Sequence, residues 1–592
     1  MKDGQPMKYG LTDAPDLVTL FRDRVAAEPD TEAIAFLADS SDLSGGLVRW
    51  SYARLDAEAR GRAAWLGEHL PRGSRVLLLH PGGLEFAAAL FGCLYAGMIA
   101  VPAPLPGRYR HHRRRLAAIA EDSGAAAILT TAKELPEVRE WMADVGVAAI
   151  PVVAGDEPTD TDPPSLADPV ALDRTTTALL QYTSGSTGAP KGVVVRHDQL
   201  LFNAAEGMPA LRWHGRAGGW LPLYHDMGLN QLIWPLLHGD GCVLMDPIAF
   251  VRRPVSWLRL IDAHDINMSF APNFAFELCV RKVRDEDAAA LDLSRWHLAG
   301  CGSEPIDPTV LTAFAAKFAV SGFRAEALAP VYGLAEATVY VSGHPGRPPV
   351  THRVDLDALA RGAFVPAASD DRQAREVVSC GPPTGACEVR VVDPETREEL
   401  PEGQLGEIWL RGRSISPGYW RRDDENAEVF GAVTATGEGC HLRTGDLGAL
   451  YEGELYVHGR IKDMIIVHGR NVYPQDIEQE LRAQHPELGK AGVVFGGPGT
   501  VVGAEDEASA VVVTHEVSKV PADRLPALAA EIRNTVGREF GISVTAVALL
   551  KPGAVLRTTS GKVRRSAMRD LFREGRLTAL YQDPQGVKDS HG

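Results

Sequence analysis

The sequence predicts an α/β fold with a large N-terminal lobe built on parallel sheets and a small α+β C-terminal lobe. Two observations carry this. Short apolar runs, RVLLLH at 75–80 and AAILT at 126–130, suit buried parallel strands, and they alternate with helical periodicity over 53–70, 84–98 and 116–123. After Gly459 the texture changes to short mixed segments: 477–482, 492–495, 510–514, 525–536 and 544–550. The domains expected are a large lobe over 1–459, a connection at 460–463, a small lobe over 464–582 and a polar tail at 583–592.

The chain has 592 residues, and at roughly 150 residues per domain that leaves room for a large core. Basic residues number 61 and acidic 77, a net charge of −16, which argues against non-specific nucleic-acid binding. The seven cysteines stand singly, without CxxC spacing, and read as buried thiols of a reducing cytosol rather than a zinc site. The N-terminus has no signal-peptide core. Residues 86–107 carry no charge, but Pro102, Pro104 and Pro106 break their second half. A buried helix near 84–98 followed by an extended turn is expected, and no membrane span. A cytoplasmic protein follows from these readings. The cluster Arg108-Tyr109-Arg110-His111-His112-Arg113-Arg114-Arg115 is either a solvated helix start or an anion or partner contact.

The strongest local signal is Tyr182-Thr183-Ser184-Gly185-Ser186-Thr187-Gly188-Ala189-Pro190-Lys191-Gly192, set between the apolar runs ALLQY and GVVV. Glycines let backbone wrap an anion; hydroxyls and N–H groups donate; Lys191 adds a positive charge. It is a phosphate loop, but not of the GxxxxGK[ST] type.

This loop resembles the phosphate-binding motif of the adenylate-forming superfamily of acyl-CoA synthetases, luciferases and nonribosomal adenylation domains. Further motifs follow in the superfamily's order. Val331-Tyr332-Gly333-Leu334-Ala335-Glu336-Ala337-Thr338 resembles its nucleotide and magnesium motif, and Arg443-Thr444-Gly445-Asp446 its ribose motif. Gly459-Arg460-Ile461-Lys462-Asp463 resembles its hinge, and Arg557-Thr558-Thr559-Ser560-Gly561-Lys562 its catalytic-lysine motif. Leu221-Pro222-Leu223-Tyr224-His225-Asp226-Met227-Gly228-Leu229, Pro272-Asn273-Phe274, Gly302-Ser303-Glu304-Pro305 and Val467-His468-Gly469-Arg470-Asn471-Val472-Tyr473-Pro474 point to the fatty acyl-AMP ligase branch, as does an insertion at 354–377.

The resemblance implies a small β subdomain in the large lobe and a mobile small lobe. It also implies a reaction. A carboxylate attacks the α-phosphorus of ATP, giving acyl-AMP and pyrophosphate, and the acyl group then passes to the phosphopantetheine thiol of an acyl carrier protein. Two anions must meet, so cations and oriented donors should dominate catalysis. Lys562 is then the bridging cation and His225 borders the reacting carboxylate. Glu336 holds Mg²⁺, the expected metal beside ATP. Thr183, Ser184, Gly185, Ser186, Thr187, Gly188 and Lys191 hold the phosphates. Tyr332 and Gly333, with Gly302, Ser303 and Glu304 opposite, hold adenine. Asp446 and Arg460 hold ribose, and Lys462 is the hinge. Tyr224, His225, Asp226, Met227, Gly228, Asn230, Asn273 and Phe274 are the expected acyl pocket. Asp226 could instead pair with a substrate amine, but the branch carries this residue with fatty substrates.

Two departures stand out. The branch usually continues from Leu229 with Ile-Gly-Gly; here Asn230-Gln231-Leu232 follow, and these bulkier residues argue against long unbranched chains. Ala299-Gly300-Cys301 replaces Asn-Gly-Ala before Gly302, which should alter adenine packing slightly. The rival readings are an ordinary acyl-CoA ligase and a non-catalytic nucleotide- or acyl-binding relative.

Overall fold

The computed structural model describes residues 8–37, 46–107, 110–156, 170–183, 190–368, 374–385, 387–467, 470–496, 511–557 and 563–583. The chain forms two compact units. One comprises Met1–Val350, Val378–Arg390 and Trp409–Thr444; the other comprises Thr351–Val377, Val391–Ile408 and Gly445–Gly592.

The first unit is built on two sheets. A six-stranded sheet runs Val152–Ala154, Ala127–Thr130, Arg75–Leu78, Ile99–Pro102, Thr177–Tyr182, Gly192–Arg196, parallel except for its last strand. An eight-stranded sheet runs Ser342–Gly343, Leu328–Tyr332, Leu298–Cys301, Ile266–Ala271, Arg216–Gly219, Cys242–Met245, Glu32–Leu37, Leu47–Ser51. Its inner strands pair in parallel and its two edges antiparallel. The inner strands are apolar and buried along their length, as expected of strands covered on both faces.

Two expectations shift. The helix foreseen over 84–98 is Leu84–Tyr95, because Gly97 takes φ +67 and ends it. The extended turn that should follow is a fully buried strand, Ile99–Pro102. The helix foreseen over 116–123 begins earlier, at Arg110, and takes in most of the basic cluster. Six of the seven cysteines are buried and Cys440 is exposed. Among the described residues no helix is long and apolar enough to cross a membrane.

In the second unit a four-stranded sheet, Leu488–Gly496, Val511–Val517, Val544–Leu550, Tyr581–Asp583, packs against helices Pro474–Gln484, Leu525–Phe540 and Arg565–Arg573. Asp583, expected in the polar tail, pairs with Val547 as the end of the last strand. The segment foreseen as an insertion contributes strands Thr351–Asp355 and Ala374–Val378, paired as a two-stranded sheet, and helix Leu356–Ala360. Its Val354, Leu359 and Phe364 form one apolar cluster with Ala449 and Tyr456, so the segment is part of this unit's core.

Candidate active site

Strand Thr177–Tyr182 delivers the chain into the phosphate loop and strand Gly192–Arg196 carries it away. The loop's two ends are held. Arg115 Nη2 donates to the Thr183 carbonyl at 2.6 Å, and Thr183 N–H to the Lys191 carbonyl at 3.4 Å. Tyr182 Oη donates to Asp122 at 2.7 Å, and Arg422 donates to the other oxygen of the same carboxylate at 2.7 Å. Burial, then the Asp122 carboxylate, pushes the Tyr182 phenol up from its ordinary value, so it stays a donor. Lys191 pairs with Glu425 and sits 5.3 Å above the Tyr419 ring. The lysine is thus poised by a carboxylate with which a phosphate would compete. Ser184, Gly185, Ser186, Thr187 and Gly188 lie outside the described residues, as does Lys562.

Strand Leu328–Tyr332 ends at the nucleotide motif. A Cβ on Gly333 would stand 1.5 Å from the Val339 carbonyl oxygen, so the turn back toward Val339 admits only glycine. Beyond it Thr338 adopts φ +71 and Ser303, on the facing wall, φ +67. Such backbone costs on the order of 1–3 kcal/mol per residue. Thr338 is held there by donating Oγ1 to the Ser414 carbonyl at 2.7 Å. Between the glycine and Thr338, Glu336 accepts from Tyr419 Oη at 2.9 Å.

Helix Asp226–His238 carries Asp226, Met227, Gly228 and Asn230, four of the residues expected in the acyl pocket. His225 is its N-cap residue, and the Asp226 carboxylate accepts from Met227 N–H at 2.7 Å, so it satisfies a first-turn donor of its own helix. Gly228 packs against the Pro222 carbonyl, 2.2 Å from where a Cβ would lie; it permits a close approach of chain to helix. Gln181 Nε2 donates to the Tyr224 carbonyl at 2.7 Å, and the rings of Tyr224 and His225 lie 4.7 Å apart.

Asp226, Met227, Asn230, Ser303, Tyr332 and Gly333 line one pocket, of about 50 Å³. Residues assigned to nucleotide and to acyl chain therefore share a cavity. Asn273 and Phe274 are not in its wall. Asn273 Oδ1 accepts from Asp307 N–H at 3.2 Å, and Phe274 N–H donates to Glu304 at 2.6 Å, so Glu304 caps the helix Asn273–Lys282. Sequence reasoning missed Trp213, Trp234, Phe270 and Tyr340, which complete the pocket. Trp234 follows Asn230 by one turn of the same helix, while Trp213, Phe270 and Tyr340 come from other segments that no local spacing joins. Gln231, also in the wall, had drawn notice only as a departure from the branch.

In the second unit Asp446 and Arg460 face one another in register on adjacent antiparallel strands and form an ion pair at 2.9 Å. Lys462 is exposed in the 3₁₀ turn Ile461–Asp463.

A glycine-dependent turn at the nucleotide motif, a phosphate-loop sequence held at its flanks Thr183 and Lys191, and a pocket shared by Tyr332 and Asp226 are the features of an acyl-adenylate-forming class of enzyme. The AMP-binding enzyme family matches residues 21–420. The chain is 39% identical over 574 residues to the medium-chain-fatty-acid acyl-carrier-protein ligase JamA of Moorena producens, covering 95% of each. It is 36% identical over 589 residues to 4-hydroxyphenylalkanoate adenylyltransferase of Mycobacterium tuberculosis, covering 95% of this chain and 93% of that one. A structure from work on fatty acyl-adenylate ligases of E. coli and L. pneumophila superposes with TM-score 0.84 at 31% identity, covering 96% and 99% of the two chains. The chain belongs to the AMP-binding enzyme family, within its fatty acyl-AMP ligase branch.

Proposed function

We propose that this enzyme condenses ATP with a medium-chain fatty or arylalkanoic acid to give acyl-AMP and pyrophosphate, and then loads the acyl group onto the phosphopantetheine thiol of a carrier protein in trans. The observation that carries the reading is the single pocket shared by Ser303, Tyr332 and Gly333 with Asp226, Met227 and Asn230. The substrate class draws on the names of the two relatives.

The residues divide the work. Lys191, released from Glu425, would bind the polyphosphate; Asp446 and Arg460 would grip the ribose hydroxyls; Lys562 would bridge carboxylate and α-phosphate, a task suited to a point charge on a long stem. Magnesium is held elsewhere by one or two carboxylates plus substrate phosphates. Glu336 fits that pattern, with one oxygen already fixed by Tyr419; a bound Mg²⁺ there would neutralise the phosphates. The hinge at Lys462, the lobe boundary at 459 and a role for 354–377 in restricting the small-lobe motion that CoA needs, so that the carrier thiol is preferred, belong to the same proposal.

The test is purified enzyme with ATP, Mg²⁺ and a panel of acids, scored by mass spectrometry for acyl-AMP, then with either CoA or a phosphopantetheinylated carrier. The expected result is acyl-AMP with medium-chain or aryl acids, lost in Lys562→Ala, and transfer to the carrier faster than to CoA. Equal transfer to CoA would favour the acyl-CoA ligase reading. No acyl-AMP from any acid would favour the non-catalytic one.

A further inference from the structure

The first unit holds a second and larger cavity, of about 650 Å³. It lies at the far end of the strand pair that carries the phosphate loop. Thr177 pairs with Arg196 at one end of those strands, and Tyr182 with Gly192 at the other, next to the loop. Arg196 and the residues just before Thr177 line the cavity, so a strand of five residues, roughly 15 Å, separates it from Lys191. It shares no wall residue with the pocket at Asp226 and Tyr332.

The charges in its wall do not cancel. Three arginines, Arg174, Arg196 and Arg413, stand with two aspartates, Asp173 and Asp198. Both aspartates are already engaged. Arg196 donates from Nε and Nη2 to the two oxygens of Asp198 at 3.0 and 2.9 Å, and Thr175 gives Asp173 its N–H at 2.8 Å and its hydroxyl at 2.7 Å. Arg174 and Arg413 have no carboxylate partner among the described residues. Both guanidiniums lie over the ring of Phe202, another wall residue, with Cζ 5.0 Å from its centroid for Arg174 and 3.6 Å for Arg413. One ring thus brings two unmatched cations together at the wall.

Arg413 is exposed, yet the chain beside it is pinned. The Ser414 carbonyl accepts from Thr338 Oγ1 at 2.7 Å, the Ile415 carbonyl accepts from Gln199, and Ser416 N–H donates to the Glu336 carbonyl at 2.8 Å. With its backbone held and its guanidinium stacked, Arg413 offers a charge that needs little further ordering on binding.

Two neighbouring guanidiniums suit a dianion. Each presents planar, paired N–H donors that match phosphate oxygens. A carboxylate carries one negative charge, whereas a phosphate monoester carries close to two at neutral pH and can serve both cations. Pro15 and Leu172 add apolar wall, and the volume is that of a small-molecule site rather than of a bare ion.

We infer that this cavity is a second phosphate site, in which Arg413 and Arg174 hold the phosphate group of a small molecule and Pro15 and Leu172 lie against its organic body. The site is additional to the one that takes the nucleotide, and it does not depend on the acyl-AMP reading.

The experiment is isothermal titration calorimetry of the full chain, with excess α,β-methylene-ATP and Mg²⁺ present to fill the nucleotide site. The probes are phenyl phosphate, inorganic phosphate and benzoate. The expected result is one further equivalent of phenyl phosphate, bound about tenfold or more tighter than benzoate. Tighter binding of phenyl phosphate than of inorganic phosphate identifies an ester as the ligand; equal binding identifies free phosphate. Arg413→Gln should weaken phenyl phosphate by about 10–100-fold, and Arg413→Lys, which keeps the charge and loses the fork, by less. Lys191→Ala should leave this binding unchanged, which separates the cavity from the phosphate loop. Wild-type protein that shows no saturable binding of either phosphate probe overturns the inference and needs no variant to fold. Benzoate bound as tightly as phenyl phosphate overturns the assignment to phosphate. Binding that survives intact in Arg413→Gln, or that is lost in Lys191→Ala, overturns the assignment to this cavity.

Discussion

Tyr419 donates its hydroxyl to Glu336 at 2.9 Å while its ring lies 5.3 Å from the Lys191 ammonium. One side chain thus touches both the carboxylate proposed for the metal and the lysine proposed for the phosphates. Tyr419→Phe keeps the ring and removes only the hydroxyl. A hydrogen bond to a charged group is worth about 1.5–3 kcal/mol, so kcat/KM for ATP should fall roughly 10–150-fold, with a higher Mg²⁺ requirement. Steady-state kinetics against ATP and Mg²⁺ check this. A change under twofold would mean Glu336 needs no such positioning.

The pair between buried Asp446 and half-exposed Arg460 gives a second test, because a ribose diol would meet both groups at once. An ion pair with one exposed partner contributes about 0–1 kcal/mol. Asp446→Asn should therefore leave thermal stability nearly unchanged while raising KM for ATP by tenfold or more. The loss should be smaller with 2′-deoxy- and 3′-deoxy-ATP, which already lack one hydroxyl. Equal losses with all three nucleotides would remove Asp446 from ribose recognition.

Much of this was legible in the sequence, for identifiable reasons. Gly333, and Gly445 with φ +69 before Asp446, are constrained by backbone geometry, and such constraints leave local motifs. The pocket is different. Trp213, Phe270 and Tyr340 meet Asn230 only because a sheet brings separate strands and helices together, and period and spacing carry no trace of that. Asn273 and Glu304 show the converse: both sit in recognisable motifs, yet each is engaged in holding backbone N–H groups. The helix from Arg110 ran longer than its apolar pattern because its first turns are charged and half-exposed, where periodicity is silent.

Four buried histidines predict how stability follows pH. Burial, helped by Arg62 beside His80 and Arg375 beside His458, pushes both down to about 3. Burial pushes His197 and His515 to about 4. Unfolded, each titrates near 6.5. Below that pH the unfolded chain binds more protons than the folded one, so stability is full above about 6.5 and declines as pH falls toward 4. The slope is on the order of 1.4 kcal/mol per pH unit for each histidine. Urea unfolding at pH 7.5, 6.0 and 5.0 should show midpoints dropping steadily. A midpoint constant over this range would mean these rings gain solvent without unfolding.

Arg375, in the segment 354–377, pairs with Asp476 at the start of helix Pro474–Gln484; the two side chains are 17% and 7% exposed. Breaking a buried pair by removing one partner costs about 3–5 kcal/mol. Arg375→Met should destabilise by that order, and Arg375→Met with Asp476→Leu should recover most of it. Deleting the whole segment is a poor test of thiol choice, because Val354, Leu359 and Phe364 would leave the core with it. The double variant is the better one. If this tether restrains the small lobe, acyl-CoA formation should rise in it while acyl-AMP formation persists. Unchanged CoA turnover in the stable double variant would assign thiol choice elsewhere.

Carrier proteins are usually acidic, and a chain of net charge −16 needs a local positive surface to attract one. Two basic runs compete. In the first, Arg113 is matched to Glu140 and Asp144, and Arg115 holds the Thr183 carbonyl. Part of its charge is thus committed within the fold, while Arg110 and Arg114 are exposed. The second is the C-terminal run containing Lys562, Arg564, Arg565, Arg569, Arg573 and Arg576; Arg565 pairs with Glu478 and Arg576 with Glu574, while helix Arg565–Arg573 buries Met568 and Phe572 and leaves Arg573 exposed and Arg569 half-exposed, 3.9 Å from Asp570. This favours the C-terminal helix as the docking face. Arg569→Glu with Arg573→Glu should raise the carrier's KM by about tenfold at low salt and flatten its salt dependence, since charges at a rim act mainly on association. Acyl-AMP formation, followed by pyrophosphate release, should be unaffected. If instead carrier KM stays constant in that variant and rises on reversing Arg113 and Arg114, the helix beginning at Arg110 is the docking face.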